Sequence, residues 1–226
     1  KIVIATGAVT TLAGSTSSGS TDATGTAARF NKPLGITTDG TNLYVADSYN
    51  HKIRKIVISS RVVTTLAGST SSGSTDATGT AARFNYPKGI TTDGTNLYVA
   101  DFVNHKIRKI VIATGVVTTF AGSSSGFADA TGTSAKFINP HGITKEGTNL
   151  YVTDRQNFKI RKISLLGTAT ADVAMHNIDD DTDITVKLES SDTEEAIVAP
   201  ATLTFTEANW NTKQAVTLTG VDDNDT

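Results

Sequence analysis

The chain of 226 residues is 38% hydrophobic and 19% charged, with 19 glycines and no cysteine, which excludes disulfide scaffolds, thiolate nucleophiles and cysteine-based zinc sites. Its excess of Gly, Ser and Thr suits turn-rich β-structure better than helical bundles, and no apolar run reaches the roughly eighteen residues of a membrane span. The formal charge of −2 conceals a split, 18 Lys and Arg against 9 Asp and Glu in residues 1–164 (+9) and 2 against 13 in residues 165–226 (−11), which points to two modules with partners of opposite sign.

The opening KIVIATGAVTTLAG matches residues 109–122 at all but two positions, so the chain begins partway through a repeat and an earlier copy is expected before it. Leu12 to Asn31 recurs letter for letter from Leu66 to Asn85, GITTDGTNLYVAD at 35–47 recurs at 89–101, and NHKIRKIVI at 50–58 recurs at 104–112. The period is 54 residues, and a looser third copy runs from Phe120 to Ile163. Self-similarity at a fixed period is the mark of a repeat architecture.

Within a unit the pattern predicts four short strands. Gly35-Ile-Thr-Thr is the first and ends at the turn Asp39-Gly40; Asn42-Leu-Tyr-Val-Ala-Asp is the second, with Leu43 and Val45 on one face and Tyr44 and Ala46 on the other. Lys52-Ile-Arg-Lys-Ile-Val-Ile is the third and Val62-Val-Thr-Thr-Leu the fourth. A four-stranded antiparallel meander is the blade of a β-propeller. The glycine-rich stretch Gly14–Gly25 lacks the Lys and the helix of a phosphate loop and reads as a surface loop.

The unit P-x-G-I-T-T-D-G-T-N-L-Y-V-A-D-x-x-N-H-K-I-R-K-I, followed by V-T-T-L-A-G and a Gly/Ser/Thr loop ending A-A-R-F-N, resembles the NHL repeat of bacterial type over residues 1–164. The resemblance implies a propeller, often six-bladed in that family, that binds proteins, nucleic acids or other ligands; a few related propellers are enzymes. A part-blade at 1–14, blades at 33–68 and 87–122, and a third at 140–164 without its fourth strand cannot close a ring of at least four blades. Either further repeats lie upstream, the favoured expectation, or chains assemble to share a ring.

After Lys162 the repeat stops. Ile184-Thr-Val-Lys-Leu-Glu, Thr202-Leu-Thr-Phe-Thr and Val216-Thr-Leu-Thr alternate as strands, which predicts a small antiparallel β-sandwich over 165–226, or part of one. The run from Leu188 to Asp225 resembles Calx-beta-like modules of very large bacterial surface and adhesion proteins. In that family the module recurs in tandem, so this end too is expected to continue.

Two acidic clusters, Asp179, Asp180, Asp181 and Asp183, and Asp222, Asp223 and Asp225, are the candidate metal ligands. Calcium takes several carboxylate and carbonyl oxygens from a flexible loop, and the Calx-beta resemblance implies it at comparable loops in some members; a solvated acidic loop is the competing reading. His51 and His105 occupy matching positions where the third copy has Phe158, so packing rather than metal binding is expected there, and the isolated His141 and His176 give no zinc site. The pairs Asp47/Arg54, Asp101/Arg108 and Asp154/Arg161 recur in every copy. A catalytic group is needed once and a turn every time, so these are read as structural.

No G-x-S-x-G, Walker loop or H-E-x-x-H occurs, and no catalytic residue is assigned. The positions that differ between the near-identical copies fall mainly on two connections that emerge at one end of each blade. They are Lys32, Leu34, Ser48 and Tyr49 in the first, Tyr86, Lys88, Phe102 and Val103 in the second, and Asn139, His141, Arg155 and Gln156 in the third. The fold does not dictate them, which makes them a candidate ligand-binding face; drift at unconstrained loop positions is the competing reading.

The expected role is a non-enzymatic structural or interaction protein, extracellular or at the cell surface. Its expected partners are other copies of itself, other surface proteins or glycans, with no membrane insertion. The opposite charges of the two parts would favour head-to-tail association, and a neighbour could supply the strand an incomplete blade lacks. A polyanion or nucleic-acid binder using Lys52, Arg54, Lys55, Lys106, Arg108 and Lys109 is the alternative, weakened because several of these alternate across a strand. A propeller enzyme with an unrecognised metal site is the third.

Overall fold

A computed structural model describes residues 2–3, 6–165, 184–187, 196–199, 202–206 and 217–220. The chain divides into two units, Lys1–Ile163 and Ser164–Thr226.

The first unit opens with a short hairpin, β1 (Ile2–Val3) against β2 (Ala8–Val9). One four-stranded antiparallel sheet follows, in chain order β3 (Pro33–Thr38), β4 (Asn42–Asp47), β5 (Lys52–Val57) and β6 (Val63–Gly68). A second repeats it with β7 (Pro87–Thr92), β8 (Asn96–Asp101), β9 (Lys106–Val111) and β10 (Val117–Ala121). The third has β11 (Pro140–Glu146), β12 (Asn149–Asp154) and β13 (Lys159–Ser164). These are propeller blades, as the repeat predicts. Each first strand starts two residues earlier than expected, at the proline, so Leu34, Lys88 and His141 are strand residues and not loop residues.

The first strands β3, β7 and β11 lie side by side, and the contact depends on glycine. A Cβ on Gly35 would run into the backbone of Lys88, and one on Gly89 would come within 2.6 Å of the His141 carbonyl oxygen. The period-2 alternation of the second strands β4 and β8 is buried on both sides. Tyr44, Ala46 and Ile53 pack against Ile90, Leu97, Val99 and Ile110 of the next blade, while Val45, Ile56 and Val63 form a second cluster with Ala28, Leu12 and Phe30. The first and second sheets are therefore layered with a core between them, the second cluster closes the first sheet against the chain that precedes it, and the third sheet packs on the second through β11.

The turn between first and second strands is held by its aspartate. Asp39 accepts from the Thr41 and Asn42 N–H groups at 2.9 and 2.6 Å and from Asn42 Nδ2 and Tyr44 Oη at 2.9 and 2.7 Å. Burial pushes its acidity the other way, but these four donors prevail and hold the carboxyl down at about 2.

In the second unit, β14 (Ile184–Lys187) pairs antiparallel with β16 (Thr202–Phe205), and β15 (Ala196–Ala199) with β17 (Thr217–Gly220). Asp179, Asp180, Asp181, Asp183, Asp222, Asp223 and Asp225 all lie outside the described residues.

Candidate ligand-binding face

Antiparallel register lines up Pro33, Asp47, Lys52 and Gly68 at one end of the first blade, and Pro87, Asp101 and Lys106 at the same end of the second. The connections between blades and the turn from second to third strand both emerge there. A buried ion pair organises each such end. Arg54 and Asp47 are both fully buried with Nη1 to Oδ2 at 2.8 Å, and Asp47 also accepts from the Asn31 N–H at 2.8 Å and Asn50 Nδ2 at 2.8 Å. Arg54 reaches on to the Arg29 and Thr21 carbonyls and to Asp22 Oδ1 at 2.5 Å, with its guanidinium 5.0 Å from the Phe30 ring centroid. The same arrangement recurs as Arg108 with Asp101 and Asp76, and as Arg161 with Asp154 and Asp129.

The Asp/Arg pairs are thus structural, as repetition argued, but their task exceeds a turn: they clamp the incoming loop onto the blade. Asp22 and its equivalents were not singled out from sequence, although D-A-T-G stands in all three copies and could have drawn attention to them. Burial of Arg54 and Arg108 also corrects the polyanion list, since neither guanidinium is available to a phosphate.

The histidines at matching positions join blades rather than merely packing. Both are in the left-handed region, φ 54° and 58°, and their Nδ1 atoms accept the N–H of Tyr86 and Asn139, each at 3.1 Å. Burial lowers the pKa of His51, and that of His105 against the opposing charge of Asp154. Phe158 holds the same left-handed conformation and is 94% exposed.

The varied positions converge on this end. Lys32, Tyr86 and Asn139, each just before a proline, have φ of 49°, 53° and 54°, a conformation unusual for side-chain-bearing residues and disfavoured before proline. Their strain holds three different side chains at one defined orientation. Lys32 Nζ sits 4.1 Å from the Tyr49 ring centroid; Tyr49 meets Tyr86 edge-on at 5.0 Å, and Tyr86 meets His51 at 4.6 Å. One blade on, Lys88 Nζ lies 4.5 Å from the Phe102 centroid and Phe102 meets His141 edge-on at 6.0 Å. Lys32, Leu34, Tyr49, Val103, His141, Arg155 and Gln156 are exposed. Tyr86, Lys88, Phe102 and Asn139 are half-buried, and Ser48 is buried outright, which removes it from the face.

Among the described residues no group of three His, Asp or Glu side chains is placed to hold a metal ion. An open groove lined by Thr11, Ala13, Gly14, Thr26, Phe30 and Pro33 contains no titratable side chain, so it offers no acid, base or nucleophile pair.

Residues 30–56 match the family model of the NHL repeat. The chain is 42% identical over 107 residues to NHL repeat-containing protein 2 of Bos taurus, which covers 45% of this chain and 15% of that protein. It is 32% identical over 150 residues to the chloroplastic protein SUPPRESSOR OF QUENCHING 1 of Arabidopsis thaliana, covering 60% of this chain and 14% of that one. The chain thus spans about 15% of the length of the first of these relatives. Among solved structures, an auxiliary nutrient binding protein from Bacteroides thetaiotaomicron superposes with a TM-score of 0.50 at 25% identity, over 56% of this chain and 36% of that one.

Proposed function

We propose that the blades are a non-enzymatic binding module that engages its partner through the end bearing Lys32, Tyr49, Tyr86, Lys88, Phe102, His141 and Arg155. The observation that carries this reading is the convergence there of most of the positions that vary between the near-identical repeats, with left-handed backbone at three of them and lysine–aromatic contacts at two. Near-identical sequences share one framework, so what differs between them is free to serve recognition. The NHL likeness and the nutrient-binding neighbour support a binding role. The Calx-beta-like reading of the acidic part supports a setting in a large bacterial surface or adhesion protein, extracellular, with calcium as the cation its aspartates could hold. Surface proteins and glycans are the partners such a setting offers.

The test is capture of partners from a bacterial surface extract. The variant Tyr49→Ala/Phe102→Ala/Arg155→Ala should lose the captured species with its melting temperature little changed. An opposite-end variant, Arg61→Ala/Glu146→Ala, should retain them. Loss only in the opposite-end variant would place recognition elsewhere, and turnover of a substrate sensitive to chelation would bring back the enzyme reading.

A further inference from the structure

The loop end is cationic as well as varied. Lys88 on β7 and His141 on β11 flank Phe102, with Lys88 Nζ 4.5 Å and the His141 ring 6.0 Å from the Phe102 centroid, and Arg155 in the turn after β12 is close enough to His141 for its charge to act on that ring. His141 feels both other charges: burial first, then Lys88 and Arg155, lowers its pKa. Nearby carboxylates are already engaged. Asp101 and Asp154 are fully buried on Arg108 and Arg161, and the exposed Asp76 and Asp129 are held by the same two arginines. Among the described residues Lys88, His141 and Arg155 have no carboxylate partner, so two cations converge on an imidazole whose protonation they oppose. Mutual repulsion of this kind is relieved by an external anion.

We propose that Lys88, His141 and Arg155 form a site for the carboxylates of an acidic peptide segment, and that the segment is residues 179–195 of a second copy of this chain. The proposal rests on the loop-end reading and names its partner. Residues 179–195 carry eight carboxylates and a single lysine, and the part to which they belong is −11 where the blades are +9. Complementary charge on one polypeptide favours heterologous, head-to-tail contact between copies. Nucleic acid is the less favoured occupant. Lys32 and Lys88 already lie over the rings of Tyr49 and Phe102, so those rings offer less open face for a base to stack on.

The experiment uses the full chain, 15N/13C-labelled, and a synthetic peptide of residues 179–195. The chain has 4 histidines, and His141→Gln identifies the relevant ring signal. Peptide should shift the His141 resonance saturably and move its titration upward, because a bound carboxylate favours imidazolium. A control peptide with Asn and Gln for Asp and Glu should leave it unmoved. Lys88→Glu/Arg155→Glu should weaken peptide binding at least about tenfold and abolish low-salt self-association in sedimentation, with an unchanged melting temperature. The proposal is overturned if a ten-residue oligothymidylate or inorganic phosphate shifts His141 and the peptide does not. It is equally overturned if self-association persists in the double variant, or if the chain stays monomeric at low salt. Capture of surface partners that survives such a result would keep the loop end as the binding face and remove only this occupant.

Discussion

At the scale of single residues the decisive group is the arginine inside each blade. Arg54 is buried with Asp47 and satisfies two loop carbonyls as well, so its charge is paired and its donors are used. Removing one partner of a buried pair leaves the other desolvated and uncompensated, which costs about 3–5 kcal/mol. Arg54→Ala should therefore lower the unfolding free energy by that order in urea titrations. Arg161→Ala should cost less, since Asp129 is 78% exposed where Asp22 is 44% exposed, and water can replace part of what is lost. Equal losses at the two sites would mean that the outer carboxylate contributes nothing. Asp39 gives a second test at this scale. Its folded pKa of about 2 lies below the ordinary aspartate value of 3.8, so the unfolded chain binds the proton more readily. The stability it contributes is full above pH 4 and is lost as pH falls toward about 2. Asp39→Asn should flatten the acid limb of a melting-temperature profile between those limits and leave the remainder unchanged in shape.

Between elements, the joint that matters is blade to blade. Tyr86 N–H donates to Nδ1 of His51, which requires that nitrogen unprotonated, and Asn139 N–H does the same to His105. Both folded pKa values lie below 6.5, so the folded state binds fewer protons than the unfolded one. The interblade contribution is complete above about pH 6.5 and disappears as pH falls through the lowered values. His51→Phe/His105→Phe, which installs the residue the third blade already carries, should lower the melting temperature at pH 7.5 and reduce its fall between pH 7 and 5. An unaltered slope would assign the pH dependence to groups other than this pair. The blades themselves were legible in the sequence, because alternation such as Leu43-Tyr44-Val45-Ala46 and the Asp-Gly turns are local signals repeated at a fixed period. The clamp was not: Asp22 and Arg54 are 32 residues apart, and a serine- and threonine-rich loop has no periodicity to show which blade it will lie on. The His–backbone joint was equally silent, since its acceptor pairs with a main-chain donor that any residue supplies. Of the candidate face, the variation was readable but the left-handed conformations at Lys32, Tyr86 and Asn139 were not, because non-glycine residues give no warning of them.

Over the three blades taken together, position in the stack decides what a given residue is worth. Ile53 and Ile107 are 0% exposed, whereas Ile160, at the matching place in the third blade, is 70% exposed; Ile36 is 60% exposed where Ile90 is 5%. The same side chain in the same local sequence is core in one repeat and surface in another, because burial comes from the fourth strand and from the neighbouring blade. The third blade has no fourth strand among the described residues, and the sequence that follows it departs from the repeat. Ile107→Ala should thus cost about 2–5 kcal/mol, the range for truncating a fully buried aliphatic side chain, while Ile160→Ala should fall within about 0.5 kcal/mol of the parent. Urea unfolding of the isolated chain compares the two directly. A large loss at Ile160 would show that this flank is covered in solution. Its dependence on protein concentration would then identify that cover as a second copy, since only an intermolecular contact gains stability by mass action.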